Sequence, residues 1–319
     1  VSASYYMDMV SSASIDVITT ASPYKEERKQ FGAGVSYLRG KVTYAAEFSN
    51  SRENDYKANT ASLSVSQDLF GDLTTVRLGF SRGWDDVSQR GAPDFAATVD
   101  RRNYSVDVSQ IITRNLIAGA SWETVTEEGF LNNPYRQVRY LDSGSSLGYS
   151  FERERYPRTR TGNAVAVRAK YYLPYRAAVG GDYRFYTDTW GIRAHTVELN
   201  YTHPWRRRWV FDARLRYYTQ NDADFYRDLF PRSNFANFVA RDKELASFRS
   251  LQAGIGVSYE YTPARLRFLN RSTVNFRYDR LRFKYDDFRD LRVRDVAPGT
   301  EPFYRLNANV FQFFLSGWF

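Results

Sequence analysis

The sequence contains no cysteine. That removes disulfides, covalent c-type haem, thiolate zinc sites and cysteine-ligated iron–sulfur clusters from consideration. Also absent is any run of the roughly 18–20 uncharged apolar residues that a membrane helix requires. Mean hydropathy is negative. Histidine is scarce, with His195 and His203 the two present. Two isolated imidazoles make a poor metal site, and no serine near His195 forms a recognisable nucleophile pattern. The acidic clusters Asp222/Asp224 and Asp286/Asp287 lack the spacing and central glycine of an EF-hand loop, so they read as solvated loop charge. Neither a cofactor nor an enzymatic activity is expected.

Aromatic residues, by contrast, make up 17% of the chain, with Tyr 25, Phe 23 and Trp 6. A membrane barrel reconciles this with low summed hydropathy: only every second strand residue faces lipid, and aromatic girdles mark both interfaces. The net charge is +9, carried mostly by arginine. In a soluble protein that excess would point to nucleic acid. Here the arginines recur inside alternating strands and in loops, and form neither a patch nor a basic helix. They read as lumen and headgroup charge, and no nucleic acid is expected as a partner.

The alternation itself has period 2, the strand signature. Val42, Tyr44, Ala46 and Phe48 alternate with Lys41, Thr43, Glu47 and Ser49. Ala61, Leu63, Val65 and Leu69 alternate with a run of serines, and Trp209, Phe211, Ala213, Leu215 and Tyr217 with Asp212, Arg214 and Arg216. Short turns fall at Arg39-Gly40, Gly71-Asp72, Arg114-Asn115, Pro174-Tyr175, Pro204-Trp205 and Thr262-Pro263. Between them lie mostly longer polar connections, with tight ones near Asn54-Asp55 and Thr189-Trp190. Short turns at one end and long loops at the other is the pattern of an outer-membrane barrel. The expected fold is all-β, a transmembrane antiparallel up-and-down β-barrel of about 14 strands, the first near Ala3 and the last near Tyr304. It forms a single domain over residues 1–319, with long extracellular loops near 128–160, 221–245 and 286–303. The expected location is the outer membrane of a Gram-negative cell, both termini periplasmic.

Phe311, Phe313, Leu315 and Gly317 alternate back from the terminal Phe319, which resembles the signal by which barrel-assembly machinery recognises its substrates. Leu306, Ala308 and Val310 run in the opposite phase, so a β-bulge is expected near Val310. No signal peptide is visible: Val1 opens directly into strand-like sequence, so the chain is either a mature product or begins partway into one.

The polar phases of the central strands carry Arg168, Lys170, Asp182, Arg184, Glu198, Asp212, Arg214 and Arg216, which would face one lumen. Two readings are open: an interstrand salt-bridge ladder that stabilises the wall, or a filter for anionic solutes. Interleaved acidic and basic groups favour the ladder. The long loops could plug or cover the pore. The first carries Arg136, Arg139, Arg153, Arg155, Arg158 and Arg160, for which pairing with lipopolysaccharide phosphates is the default. The second carries Phe225, Tyr226, Phe230, Phe235 and Phe238, an aromatic content expected of a folded loop.

Several segments resemble a domain-of-unknown-function family of proteobacterial outer-membrane barrels: Ser51–Tyr56, Gly129–Tyr135, Tyr217–Tyr226 and above all Tyr186–Thr196. The resemblance covers nearly the whole chain. It implies a gene neighbourhood with a small lipoprotein, a thioredoxin-like protein and a flavin transferase, and so a partner of lipoprotein or periplasmic type. It also implies a further strand pair before the segment matching Val1–Ser22, sixteen strands in all, and assigns no catalytic residue. From the residues alone, Asp188 and Gly191 supply turn chemistry for a tight extracellular hairpin. Trp190 would stand near the outer interface, flanked by Tyr186 and His195, as a loop anchor or a docking spot. The expected function is an outer-membrane channel or translocation pore with an arginine-rich lumen. The alternative is an anchor that holds a lipoprotein or redox partner.

Overall fold

The computed structural model describes residues 1–10, 26–261, 270–293 and 296–318. Sixteen strands account for most of them. The first eight are β1 (Ser2–Val10), β2 (Glu26–Arg39), β3 (Val42–Arg52), β4 (Tyr56–Leu69), β5 (Thr74–Ser88), β6 (Ala96–Thr113), β7 (Leu116–Gly129) and β8 (Gln137–Leu141). The others are β9 (Tyr149–Arg153), β10 (Thr159–Tyr172), β11 (Ala178–Asp188), β12 (Arg193–Trp205), β13 (Trp209–Gln220), β14 (Phe248–Tyr261), β15 (Arg271–Arg289) and β16 (Phe303–Trp318).

Fourteen of these form one antiparallel sheet in which each strand pairs with the next, the up-and-down order of a β-barrel. The order is interrupted once: β7 pairs with β10, and β8 and β9 make their own hairpin inside the connection between them. β1 and β16 are the edges of the sheet, and among the described residues no ladder joins them. Phe319, expected to close the sheet, lies outside the described residues, as does the Thr262-Pro263 turn.

Two physical facts make the strands. Alternating apolar and polar residues give each ribbon two unlike faces, and the turns accept left-handed backbone where a hairpin demands it. Leu63, Val167, Leu199, Ile255 and Phe313 are exposed on the outer face. A contiguous apolar surface of that kind is what lipid covers. At one end the turns are tight, such as the two residues between β2 and β3. At the other lie connections 130–158, 221–247 and 290–302. β15, with 19 residues, far exceeds the roughly 9–11 that span a bilayer. Its far end therefore stands clear of the apolar belt and supports the long connections.

Two expectations are corrected here. The ladder between β15 and β16 is continuous from Arg271↔Trp318 to Lys284↔Arg305, with its register shift between Lys284 and Arg289, so no bulge occurs near Val310. Leu306, Ala308 and Val310 instead face inward, opposite Phe283, Leu281 and Asp279. In the same phase Tyr304 is buried and Phe283 packs against the same hydrophobic core, while Leu306 and Val310 stay exposed. The Pro204-Trp205 turn is displaced as well: β12 continues through His203 and Pro204 to Trp205. The chain turns after it, where Arg206 takes φ +55°. Outward Tyr201, His203 and Trp205 continue the alternation past the proline, with Trp205 packing on Phe211 and His203 stacking on Tyr201.

Candidate functional site

Residues paired across a ladder share a face. Arg168, Asp182, Glu198, Arg216 and Gln252 form one such row from β10 to β14. Lys170, Arg184, Arg214 and Asp212 lie two or four positions from members of that row on the same strands. All eight charged residues expected to share a face therefore do. The opposite face of these strands carries exposed Val167, Tyr183, Val197 and Leu215.

Ion pairs on this polar face skip a strand. Arg168 on β10 reaches Asp107 on β6 at 3.4 Å, across β7. Arg184 on β11 reaches Glu123 on β7 at 3.4 Å, across β10. Arg214 on β13 reaches Asp279 on β15 at 3.1 Å, across β14. Such reaches are eased by a small residue on the strand between or opposite. Gly254 lies between Arg214 and Asp279, and Gly119 stands opposite Arg168. Arg216 and Glu198, on neighbouring strands, are 4.0 Å apart.

A simple ladder between adjacent strands is thus not what forms. Asp107, Glu123 and Asp279, the carboxylates that take three of the arginines, were missed in the sequence. They occupy the polar phase of their strands, so period 2 could have found them, but the pairing skips a strand and adjacency does not reveal it. Lys170 and Asp182 make no ion pair among the described residues, and Asp212 accepts a hydrogen bond from Thr202 at 2.8 Å. Across β3–β6 the same face is lined by short polar groups, among them Ser62, Ser64, Ser81, Asn103 and Ser105.

The long connections build a folded cap over one end. Arg139 of the β8–β9 hairpin is fully buried, and its guanidinium donates to Glu301 at 2.5 and 3.1 Å and to the Asp228 carbonyl at 3.0 Å and carboxylate. Arg241 donates to the same Asp228 carboxylate at 2.9 Å and to the Arg289 carbonyl at 2.9 Å. Burial pushes the Asp228 carboxyl up, but Arg241 and Arg139 outweigh it and hold it below the usual carboxylate range. Each of the three connections supplies a member of this cluster, and β15 supplies Arg289. Around it pack two apolar groups: Val138, Phe230 and Val239, and a larger one containing Tyr156, Trp190, Ile192, Tyr226 and Phe288. The cap also reaches the opposite wall, where Tyr135 donates to Asp55 and accepts from the Arg90 N–H at 2.6 Å.

Several loop expectations change accordingly. Arg139 is committed to Asp228 and Glu301, Arg136 pairs with Asp242, and Arg160 pairs with Asp188 at 2.6 Å, so these three are internal bonds rather than lipid contacts. Tyr226 and Phe230 are buried, as an aromatic folded loop requires, while Phe235 and Phe238 are exposed. Trp190 does not stand at the outer interface. It is 4% exposed inside the cap, because Asp188 accepts from the Trp190 and Ile192 N–H groups and Gly191 at φ +86° turns the hairpin inward. Tyr186 pairs with Ala194 and His195 with Phe185, which puts Tyr186 and His195 on opposite faces. Asp287 is not solvated loop charge either: it accepts from the Ser247 N–H at 2.9 Å. No group that could hold a metal ion occurs among the described residues.

Both histidines lie on the outer face. His195 is hydrogen-bonded to Tyr183 at 2.8 Å, and His203 to Tyr201 at 3.1 Å. They bracket Val197 and Leu199 along β12. Phe311, Phe313 and Leu315 are exposed on the same outer face of β16.

With this arrangement in place, comparison with known proteins assigns the family. A family described as protein of unknown function (DUF3570) matches residues 3–107 and 96–279. The chain belongs to it. No curated protein matches the chain in sequence. Among solved structures, the siderophore receptor PirA from Pseudomonas aeruginosa is similar with a TM-score of 0.51 at 11% identity, over 83% of this chain and 49% of the receptor. The chain thus spans about half the length of that receptor. A bacterial polysaccharide outer membrane secretin gives a TM-score of 0.50 at 11% identity, over 89% of this chain and 80% of its own. Both likenesses are of fold, and the second is to a protein described as an outer membrane secretin. This DUF3570 chain is an antiparallel sheet with one exposed apolar face.

Proposed function

We propose that this protein is a β-barrel of the Gram-negative outer membrane whose polar wall lines a conduit, closed at the long-loop end by the cap. One observation carries the reading. The Arg168 and Arg184 side chains remain 50% and 43% exposed on the polar face. The interior is therefore lined rather than packed solid. Short serines on β4–β6 leave the opposite wall open, and rings of paired charge tune which solutes pass. The protein acts without catalysis of its own. The apolar alternation of Phe311, Phe313 and Leu315 serves the assembly machinery.

Reconstitution into planar bilayers tests this. Folded protein is expected to show small conductance steps, and loosening the cap through Arg139→Met is expected to enlarge them. Absence of conductance from both proteins would remove the conduit.

A second reading rests on the cap itself. A rigid, ion-bonded platform with exposed Phe235 and Phe238 suits an anchor that docks a small lipoprotein or a redox partner. The gene neighbourhood implied by the family resemblance supports it. Affinity purification from native membranes separates the readings, since an anchor is recovered with its partner and a conduit is recovered alone.

A further inference from the structure

Three strands at one corner of the barrel change character abruptly along their outer faces. On β15, outward Val274, Phe276 and Tyr278 give way to Arg280, Arg282 and Lys284. On β16, outward Leu315, Phe313 and Phe311 give way to Asn309, Asn307 and Arg305. On β14, Ile255, Ala253 and Leu251 give way to Arg249. The ladders align these changes: Arg249, Lys284 and Arg305 are directly paired across the three strands, with Arg282 and Arg280 in the next two rows. Cations scattered over some sixty residues of sequence thus meet in one basic patch, on the long-loop side of an apolar belt. The sequence, read as lacking any such patch, hides it because the residues lie on three separate strands.

Like charges directly opposite one another in a ladder repel, and this row has three. Among the described residues the patch contains one carboxylate, Asp286, paired with Arg249 at 3.2 Å. Arg282, Lys284 and Arg305 make no ion pair among the described residues. The opposite wall handles the same problem differently: outward Arg82 and Arg102 share Asp100 at 2.6 and 3.2 Å. The corner at β14–β16 therefore presents a concentrated positive charge whose neutralising partner is not found among the described residues.

We infer that this corner binds the phosphorylated headgroup of an outer-leaflet glycolipid of the lipid A type. The apolar belt below would hold the acyl chains against Phe311, Phe313 and Ile255, while Arg282, Lys284 and Arg305 take the phosphates. Arginine forks suit phosphate geometry, and Asn307 adds a neutral donor. The inference rests on the outer-membrane reading, with the long-loop end facing outward.

The test uses the whole protein in detergent with defined diphosphoryl and dephosphorylated lipid A, binding being read by native mass spectrometry. Arg282→Ser, Lys284→Ser and Arg305→Ser together are expected to weaken diphosphoryl lipid A binding roughly tenfold to a hundredfold. Arg82→Ser with Arg102→Ser is expected to leave it unchanged. These side chains point away from the interior, and heat-modifiable migration on gels verifies that each variant is folded. If folded triple variant and parent bind alike, or if both lipids bind the parent alike, the site is overturned. Failure of the parent chain to fractionate with outer membranes, read separately by flotation, would overturn the membrane reading instead.

Discussion

Arg139 and Glu301 stand 162 residues apart in sequence and are joined by a buried two-bond ion pair. That pair, with Asp228 shared between Arg139 and Arg241, is what makes three connections one object. Removing one partner from a buried charge pair costs about 3–5 kcal/mol, because the other charge is left without compensation. Arg139→Met is therefore expected to loosen the cap by that amount while leaving the sheet paired. Hydrogen exchange checks it: residues 130–158 and 221–247 should lose protection, and the strands should keep theirs. Adding Glu301→Gln to Arg139→Met should restore part of the loss.

Asp287 makes the cap sensitive to pH in a definite direction. Burial, with help from Asp222, Asp228 and Asp286 and against the Ser247 N–H, pushes its carboxyl up to about 7. In the unfolded chain the group titrates near 3.9. Between those values the folded cap holds a proton that the unfolded chain has released, so ionisation weakens the cap. The contribution of Asp287 is present in full below about pH 4 and is lost as pH rises through about 7. Exchange protection around Ser247, corrected for intrinsic rates, is expected to fall between pH 5 and pH 8. Asp287→Asn should flatten that profile and protect the cap at pH 8.

Much of this was legible in the sequence, and the division has a physical cause. Period-2 alternation placed fourteen sheet strands and put all eight charged residues on one face, because in a strand the face follows from parity alone. Parity does not say what a residue touches two strands away, so Asp107, Glu123 and Asp279 were not connected to their arginines. The cap was less visible still. Arg139 and Trp190 looked like loop surface because their burial depends on partners such as Glu301 and Tyr156 that only the closed fold brings near. At Val310 the error had a different source. Two apolar phases in one strand suggest a slip, yet the ladder to β15 runs unbroken past Val310 and apolar residues occupy both faces.

Trp190 supplies a test of whether the cap is a core in its own right. Its ring meets Tyr156 and Phe225 edge-on at centroid distances of 5.5 and 5.2 Å, and the Arg160 guanidinium lies 4.5 Å above it. Its indole N–H donates to the Thr159 carbonyl at 2.9 Å. Trp190→Ala is expected to cost about 3–5 kcal/mol, the loss typical of a buried large aromatic. Trp190→Phe keeps most of the packing and should cost about 1 kcal/mol, the worth of one hydrogen bond. Both losses should appear in local opening of the cap, measured by exchange at Ala223 and Tyr226, and not in the midpoint of global unfolding.

Gly254 controls the polar wall by having no side chain. Arg214 and Asp279 stand opposite it on the two flanking strands, and the Asp279 carboxylate occupies the space where a Cβ at 254 would lie. From there Asp279 accepts from Arg214 at 3.1 Å and from Gln252 at 3.0 Å. Gly254→Ala must push the carboxylate aside, leaving a group that is 3% exposed short of partners. The expected cost is about 1–3 kcal/mol, read from denaturant unfolding followed by tryptophan fluorescence. Residues sharing a network are not additive, so in an Asp279→Asn background the same alanine should cost much less. In planar bilayers Gly254→Ala should also shift the reversal potential toward anions, since Arg214 then faces the conduit without its carboxylate. A reversal potential equal to the parent's, with the stability loss present, would show that this ion pair supports the wall and does not select solutes.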